Sequence, residues 1–180
     1  MPKATFNSNL SPIPECYIQV GDSTNEQIIL NNLPEISDNK SAVYNSESVI
    51  GRSFPFYTYS HSDGRKISMS LHFFVVEPND IQNNLDDLRL LQSAVYPREG
   101  NNGTPFTPPV VCKIKCGELL AKEPLCCVLE SYSVKFPTEV AWSTESNLFT
   151  PFKFDVDTSW LTVYSSQNLP YNDRIIRSGR

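Results

Sequence analysis

Hydrophobic and polar positions alternate most clearly between residues 65 and 97. Ile67, Met69, Leu71, Phe73 and Val75 alternate with Ser68, Ser70, His72, Phe74 and Val76. A period of two with polar partners predicts a strand with one buried face; the apolar Phe74 and Val76 predict that its far end is covered on both sides. After Glu77-Pro78-Asn79-Asp80 the spacing becomes helical. Ile81, Leu85, Leu88, Leu91 and Val95 form one stripe, with Asn84, Asp87 and Gln92 away from it. The predicted helix covers 78–96 and packs on a sheet through that stripe, most deeply at Leu85 and Leu88. Asn79 suits the N-cap of a capping box with Gln82, and Asp80 places negative charge where the helix dipole favours it. Tyr96-Pro97 closes the helix, because the residue before a proline is pushed out of the α region.

Before this unit, residues 1–15 are polar, hold three prolines and have no period, which predicts an extended arm. Residues 16–20 and 27–30 read as short strands around the turn signal Gly21-Asp22-Ser23. Residues 31–44 read as an extended loop. Tyr57-Thr58-Tyr59 leads into Asp63-Gly64, a strong hairpin signal, so 54–60 is expected to pair antiparallel with 66–76. After the helix, 98–109 is a long loop with Gly100, Gly103 and three prolines. Such loops tend to make contacts, and Arg98, Glu99, Asn101, Asn102, Thr104 and Phe106 are its candidate subunit-contact residues.

Strand-like alternation returns in 110–116, in 125–136, where Tyr132, Val134 and Phe136 share one side, and in 149–156; 160–164 reads as one more short strand. Residues 137–147 read as a polar loop carrying Trp142. The domain so outlined covers 16–166, followed by a polar tail at 167–180. About seven or eight strands around one helix predict a mainly β fold, an antiparallel two-sheet sandwich or barrel with the helix packed at its side.

Composition narrows the function classes. The chain of 180 residues carries 20 acids against 15 bases, a formal charge of −5, which opposes a surface built to grip phosphates. No stretch reaches the ~18–20 apolar residues that span a bilayer. The opening MPKATFNSNLSPIPE lacks the apolar region of a secretory signal, so a cytoplasmic site of synthesis with reduced cysteines is expected.

Candidate chemistry is sparse. Cys112 and Cys116 have a ligand-like spacing, but four residues along a strand separate them by about 13 Å, and the adjacent Cys126 and Cys127 point to opposite faces. A zinc site is therefore not expected, and the cysteines read as small core residues, with Cys116 and Cys126 facing each other across a hairpin. His61 in a turn and His72 on an exposed strand face have no nearby nucleophile to activate. The pairs Asp86-Asp87 and Asp155/Asp157 read as solvated. No phosphate-cradling glycine loop is present. Neither a cofactor nor a catalytic residue is expected.

Several pieces in this order carry a family likeness. They are Leu33-Pro34-Glu35-Ile36, Ala42-Val43-Tyr44, Gly51-Arg52, the run Arg65 through Phe73, the helix end Leu90-Leu91-Gln92-Ser93-Ala94-Val95-Tyr96-Pro97, Pro108-Pro109-Val110-Val111-Cys112, Val128-Leu129-Glu130-Ser131-Tyr132-Ser133-Val134, and the proline-led strand at 151–156. Over 33–163 the chain resembles the tube-initiator and tube-adaptor proteins of contractile phage baseplates and related injection systems. The resemblance implies the tail-tube fold and a hexameric ring whose inner strands join into one barrel around a lumen. Its implied partners are the tail tube protein and baseplate hub or adaptor proteins, in a virion tail assembled in the host cytoplasm. DNA would pass the lumen without specific binding, helped by an acidic lining. Longer relatives carry a C-terminal peptidoglycan-binding-like module, for which no segment is expected here. The alternatives are a tail tube or tail-terminator protein of the same fold, a β-sandwich module binding carbohydrate or peptide, and, least favoured, an enzyme.

Overall fold

A computed structural model describes residues 15–22, 26–77, 79–99, 106–143 and 150–164. In chain order the elements are β1 (Cys16–Val20), β2 (Gln27–Ile29), β3 (Glu35–Asn39), β4 (Ala42–Glu47), β5 (Phe56–Ser62), β6 (Lys66–Phe74), α1 (Asp80–Ser93), β7 (Arg98–Glu99), β8 (Phe106–Thr107), β9 (Cys112–Cys116), β10 (Leu125–Lys135), β11 (Trp142–Ser143), β12 (Thr150–Pro151) and β13 (Lys153–Thr162). The protein is thus mainly β. Seven strands form one sheet in the order β2-β1-β9-β10-β13-β6-β3, and β4-β5, β7-β8 and β11-β12 are separate two-stranded ribbons. Every pairing between these strands is antiparallel. No helix among the described residues is long and apolar enough to cross a membrane.

Strict alternation builds the core. In β13 the residues alternate between half-buried and buried along all ten positions, and Phe154, Val156, Thr158, Trp160 and Thr162 face inward. They meet the inward residues of β6, with Trp160 opposite Ile67, Val156 opposite Leu71 and Phe154 opposite Phe73. Phe73 and Phe154 stack with centroids 4.9 Å apart. Further inward residues are Cys16, Ile18 and Val20 of β1, Cys112, Ile114 and Cys116 of β9, and Leu125, Cys127 and Leu129 of β10. Each large apolar side chain so buried contributes roughly 1.5–3 kcal/mol. The expected separate strand at 160–164 is the continuation of β13, because Asp157-Thr158-Ser159 keeps the alternation and Thr158 finds partners inside.

In β10 the phase of alternation changes at an irregularity between Leu129 and Ser131. Leu125, Cys127 and Leu129 face the core before it. Beyond it the inward positions are Tyr132 and Val134, opposite Thr158 and Val156. An extra residue of this kind bends the strand and increases its twist.

The helix is shorter than expected, Asp80–Ser93, and its start is built differently. Asn79 makes no capping hydrogen bond with its side chain. The Asp80 carboxylate instead accepts the backbone N–H groups of Val76, at 3.1 Å, and Glu77, at 2.9 Å, while Gln82 donates along the helix to Asp86. Leu88 and Leu91 are buried, and Ile81, Leu85 and Val95 are half-buried. Asn84 is buried too, against the expectation that it lies off the stripe. It donates through Nδ2 to the Phe74 carbonyl at 3.0 Å and so ties the helix to the end of β6. Asp87, expected to be solvated, is half-buried.

Two expectations about the first half of the chain are corrected. Residues 31–44 are not one loop: they contain the edge strand β3 and the start of β4. Nor does β5 pair with β6. It pairs with β4, and β6 lies between β13 and β3. Gly64 does not adopt the left-handed conformation that Gly21, Gly51 and Gly117 adopt. It is needed for space, because a Cβ there would lie 3.0 Å from the Leu161 side chain. At the same crossing Arg65 is buried. Its guanidinium holds both oxygens of Asp38 on β3 and donates to the Leu120 carbonyl at 2.9 Å.

Candidate assembly surfaces

Two surfaces stand out. The first is the β4–β5 ribbon, in which every residue of both strands is exposed. Its register pairs Tyr44 with Tyr59 and Ser46 with Tyr57, so one face carries three tyrosines, while Glu47 and Phe56 pair with their side chains on the other. Tyr44 and Tyr59 meet edge to face, with centroids 5.8 Å apart and planes at 70°. At the tip, Gly51 supplies a positive φ of 90°, and Arg52 N–H donates to the Val49 carbonyl at 3.2 Å. The tip exposes Val49, Ile50 and Phe54, the last to 80%. At the base, Asp63 N–H donates to the Ser41 carbonyl at 3.0 Å, and the Ser41 hydroxyl donates to the Asp63 carboxylate. Sequence reading missed this ribbon by assigning Tyr57 and Tyr59 to a different hairpin. The signals that mark it are the left-handed Gly51 and the alternation of Tyr57 and Tyr59 around Thr58.

The second surface is the outward face of the seven-stranded sheet, where charges are paired across strands. Lys135 Nζ lies 2.6 Å from Asp157, and Ser70 donates to the same carboxylate at 2.6 Å. The Lys135 ammonium and the Ser70 hydroxyl hold Asp157 below the usual carboxylate range. His72 Nδ1 is 2.6 Å from Asp155, and Lys153 Nζ sits 5.3 Å above the Phe74 ring. Lys66 reaches Glu130 at 3.3 Å, and Lys113 reaches Asp22 at 3.0 Å, which raises the Lys113 ammonium. His72 and Asp155, expected to be simply exposed and solvated, are thus partners. On this face lysines interleave with acids, and Lys66, Lys113 and Lys135 each reach a neighbouring carboxylate.

The residues of the 98–109 segment fare unevenly. Arg98 and Glu99 form β7, paired with Phe106 and Thr107 of β8, so the segment begins and ends as a small ribbon. Asn101, Asn102 and Thr104 lie outside the described residues, as does nearly all of the 1–15 arm.

The cysteines are rearranged relative to expectation. Cys116 faces Cys16 on β1, with Sγ atoms 2.9 Å apart, and not Cys126, which is exposed opposite Lys113. No group of three or more His, Cys, Asp or Glu among the described residues is arranged to hold a metal.

No protein family and no curated protein matches the chain. Among solved structures it is similar to a chain of the sheath–tube complex of an extracellular contractile injection system, PVC, in the extended state. That likeness has a TM-score of 0.35 and 12% identity, and covers 85% of this chain and 87% of the other.

Proposed function

We propose that this protein is a non-enzymatic, ring-forming structural subunit of a contractile tail, a baseplate tube initiator or adaptor that joins the baseplate hub to the tail tube. The observation that carries the reading is the β4–β5 ribbon. A two-stranded ribbon exposed on both faces is marginal alone in water, and this one displays Tyr44, Phe54, Phe56, Tyr57 and Tyr59. Large exposed aromatic patches of this kind mark association surfaces. The open sheet adds two edges, β2 and β3, which are unlike and so suit head-to-tail closure into a ring. The sequence resemblance over 33–163 names the class of ring. In this reading the segments 1–15 and 98–109 contact neighbouring subunits or stacked rings, a hexamer encloses a lumen, and DNA passes it without specific binding.

Light scattering together with negative-stain microscopy tests the proposal. The expected result is a ring of about six copies, the number the resemblance supplies, with an open centre. A monomer at high concentration overturns it. A ring that lengthens into tubes unaided makes it a tube protein; a ring that lengthens only when tube protein is added makes it an initiator.

A further inference from the structure

We propose that Cys16 and Cys116 are a modification site, a cross-strand thiol pair that hydrogen peroxide converts to a disulfide fastening β1 to β9. The two residues are register partners on adjacent antiparallel strands. Gly117 N–H donates to the Glu15 carbonyl at 2.8 Å, just outside the pair. The pair itself is therefore of the non-hydrogen-bonded kind, in which Cα atoms approach to about 4.5 Å and side chains lie close. That spacing falls inside the ~4.4–6.8 Å a disulfide spans. The Sγ atoms are already in contact at 2.9 Å, and both residues are buried.

The other three cysteines are placed differently. Cys112 and Cys127 are also register partners, but Cys112 directs its thiol to the Val110 carbonyl at 3.7 Å. Cys126 is exposed and faces Lys113. Within the pair, the hydrogen bond from Cys116 holds the Cys16 thiol below its usual range, against the opposing effect of burial. The same hydrogen bond, with burial, pushes Cys116 up. Cys16 therefore supplies the thiolate that attacks.

The chemistry closes without a cofactor. The Cys16 thiolate attacks one oxygen of hydrogen peroxide and forms a sulfenic acid, releasing hydroxide. Cys116 sulfur then attacks the Cys16 sulfur; the S–O bond breaks and water leaves with the Cys116 proton. Two thiols lose two electrons, and peroxide is reduced to two waters once the hydroxide is protonated. Access comes from the sheet edge, where, among the described residues, the three-residue β2 is the strand that flanks β1. Local opening of such an edge admits a molecule as small as peroxide.

The experiment treats the reduced full chain with hydrogen peroxide, then maps peptides without reductant. The expected product is a peptide pair joined through Cys16 and Cys116. Because the positions are 100 residues apart, the link should raise the melting temperature by roughly 10 °C, reversibly by dithiothreitol. Cys116→Ala should abolish both link and shift. The peptide map of the parent decides the matter even where that variant fails to fold. A link between Cys112 and Cys127, or oxidation confined to Cys126 while Cys16 and Cys116 stay alkylatable after unfolding, overturns the proposal.

Discussion

The indole Nε1–H of Trp160 donates to the Thr158 hydroxyl oxygen at 2.8 Å, and that hydroxyl donates in turn to the Met69 carbonyl at 2.9 Å. Both side chains are on the inward face of β13, two residues apart, and both are buried. The threonine thus lets the largest residue of the core be buried with its one polar atom satisfied. Thr158→Val keeps the shape and removes the acceptor. The orphaned indole N–H should cost about 1–3 kcal/mol, read as a lower urea midpoint with an unchanged slope. Thr158→Ser, which retains the hydroxyl, should recover most of that loss.

The helix should respond unequally along its stripe. Leu91 is fully buried, whereas Leu85 is half-buried. Leu91→Ala should cost about 2–5 kcal/mol, the range for a core leucine, and Leu85→Ala clearly less. Thermal melts of the two variants check this; equal destabilisation would mean that the helix turns its stripe differently toward the sheet. Asn84→Leu should also destabilise, since it leaves the Phe74 carbonyl without its donor.

Asp87 gives the helix a pH dependence of unusual sign. Burial, with the neighbouring Asp86 charge, pushes its carboxyl up to about 6. A carboxyl raised above its unfolded value of ~4 binds more protons in the folded state between those two values. Its contribution to stability is therefore greatest at low pH, falls as pH rises from about 4 to 6, and is flat above. Asp87→Asn removes the ionised form from the half-buried site and should raise stability at pH 7, by at most about 3 kcal/mol. Between pH 7 and 5 the parent should gain stability relative to this variant. Unfolding curves at those two pH values decide it, and parallel behaviour of parent and variant would place Asp87 in water.

What could be read from the sequence follows from what each residue's pattern depends on. Ile67, Met69, Leu71 and Phe73, or Phe154 and Val156, have a buried face wherever their strand sits, so alternation reveals them. The change of phase in β10 was also on view, as Leu125, Cys127 and Leu129 give way to Tyr132, Val134 and Phe136. Partner choice is different, because alternation names a face and not a neighbour. Asp63-Gly64 carries a turn signal, yet Gly64 is there for the Leu161 side chain, and the chain passes from one sheet to another. Asn84 faces inward for one carbonyl, and the Cys16–Cys116 pair depends on strands a hundred residues apart; neither leaves a periodic trace. The candidate assembly surface was partly hidden for the same reason, since Tyr44 and Tyr59 become one patch only when β4 pairs with β5.

That patch supports the last prediction, which separates folding from assembly. Tyr57 and Phe54 are exposed to 64% and 80%, and neither is in the buried core. Replacing both with lysine, Tyr57→Lys and Phe54→Lys, removes aromatic area from the ribbon and adds charge that would have to be desolvated on docking. Exposed substitutions usually change stability by no more than about 0.5 kcal/mol, so the circular dichroism spectrum and the unfolding midpoint should stay close to those of the parent. Association between copies should weaken at least tenfold, because aromatic residues at the centre of an interface carry a disproportionate share of its energy. Tyr44 and Tyr59 are left intact, since their edge-to-face contact helps hold the ribbon together. Sedimentation of parent and variant over a range of concentrations reads both effects. A variant that assembles as the parent does takes the ribbon out of the interface, and one that unfolds more easily means that the ribbon packs within its own chain.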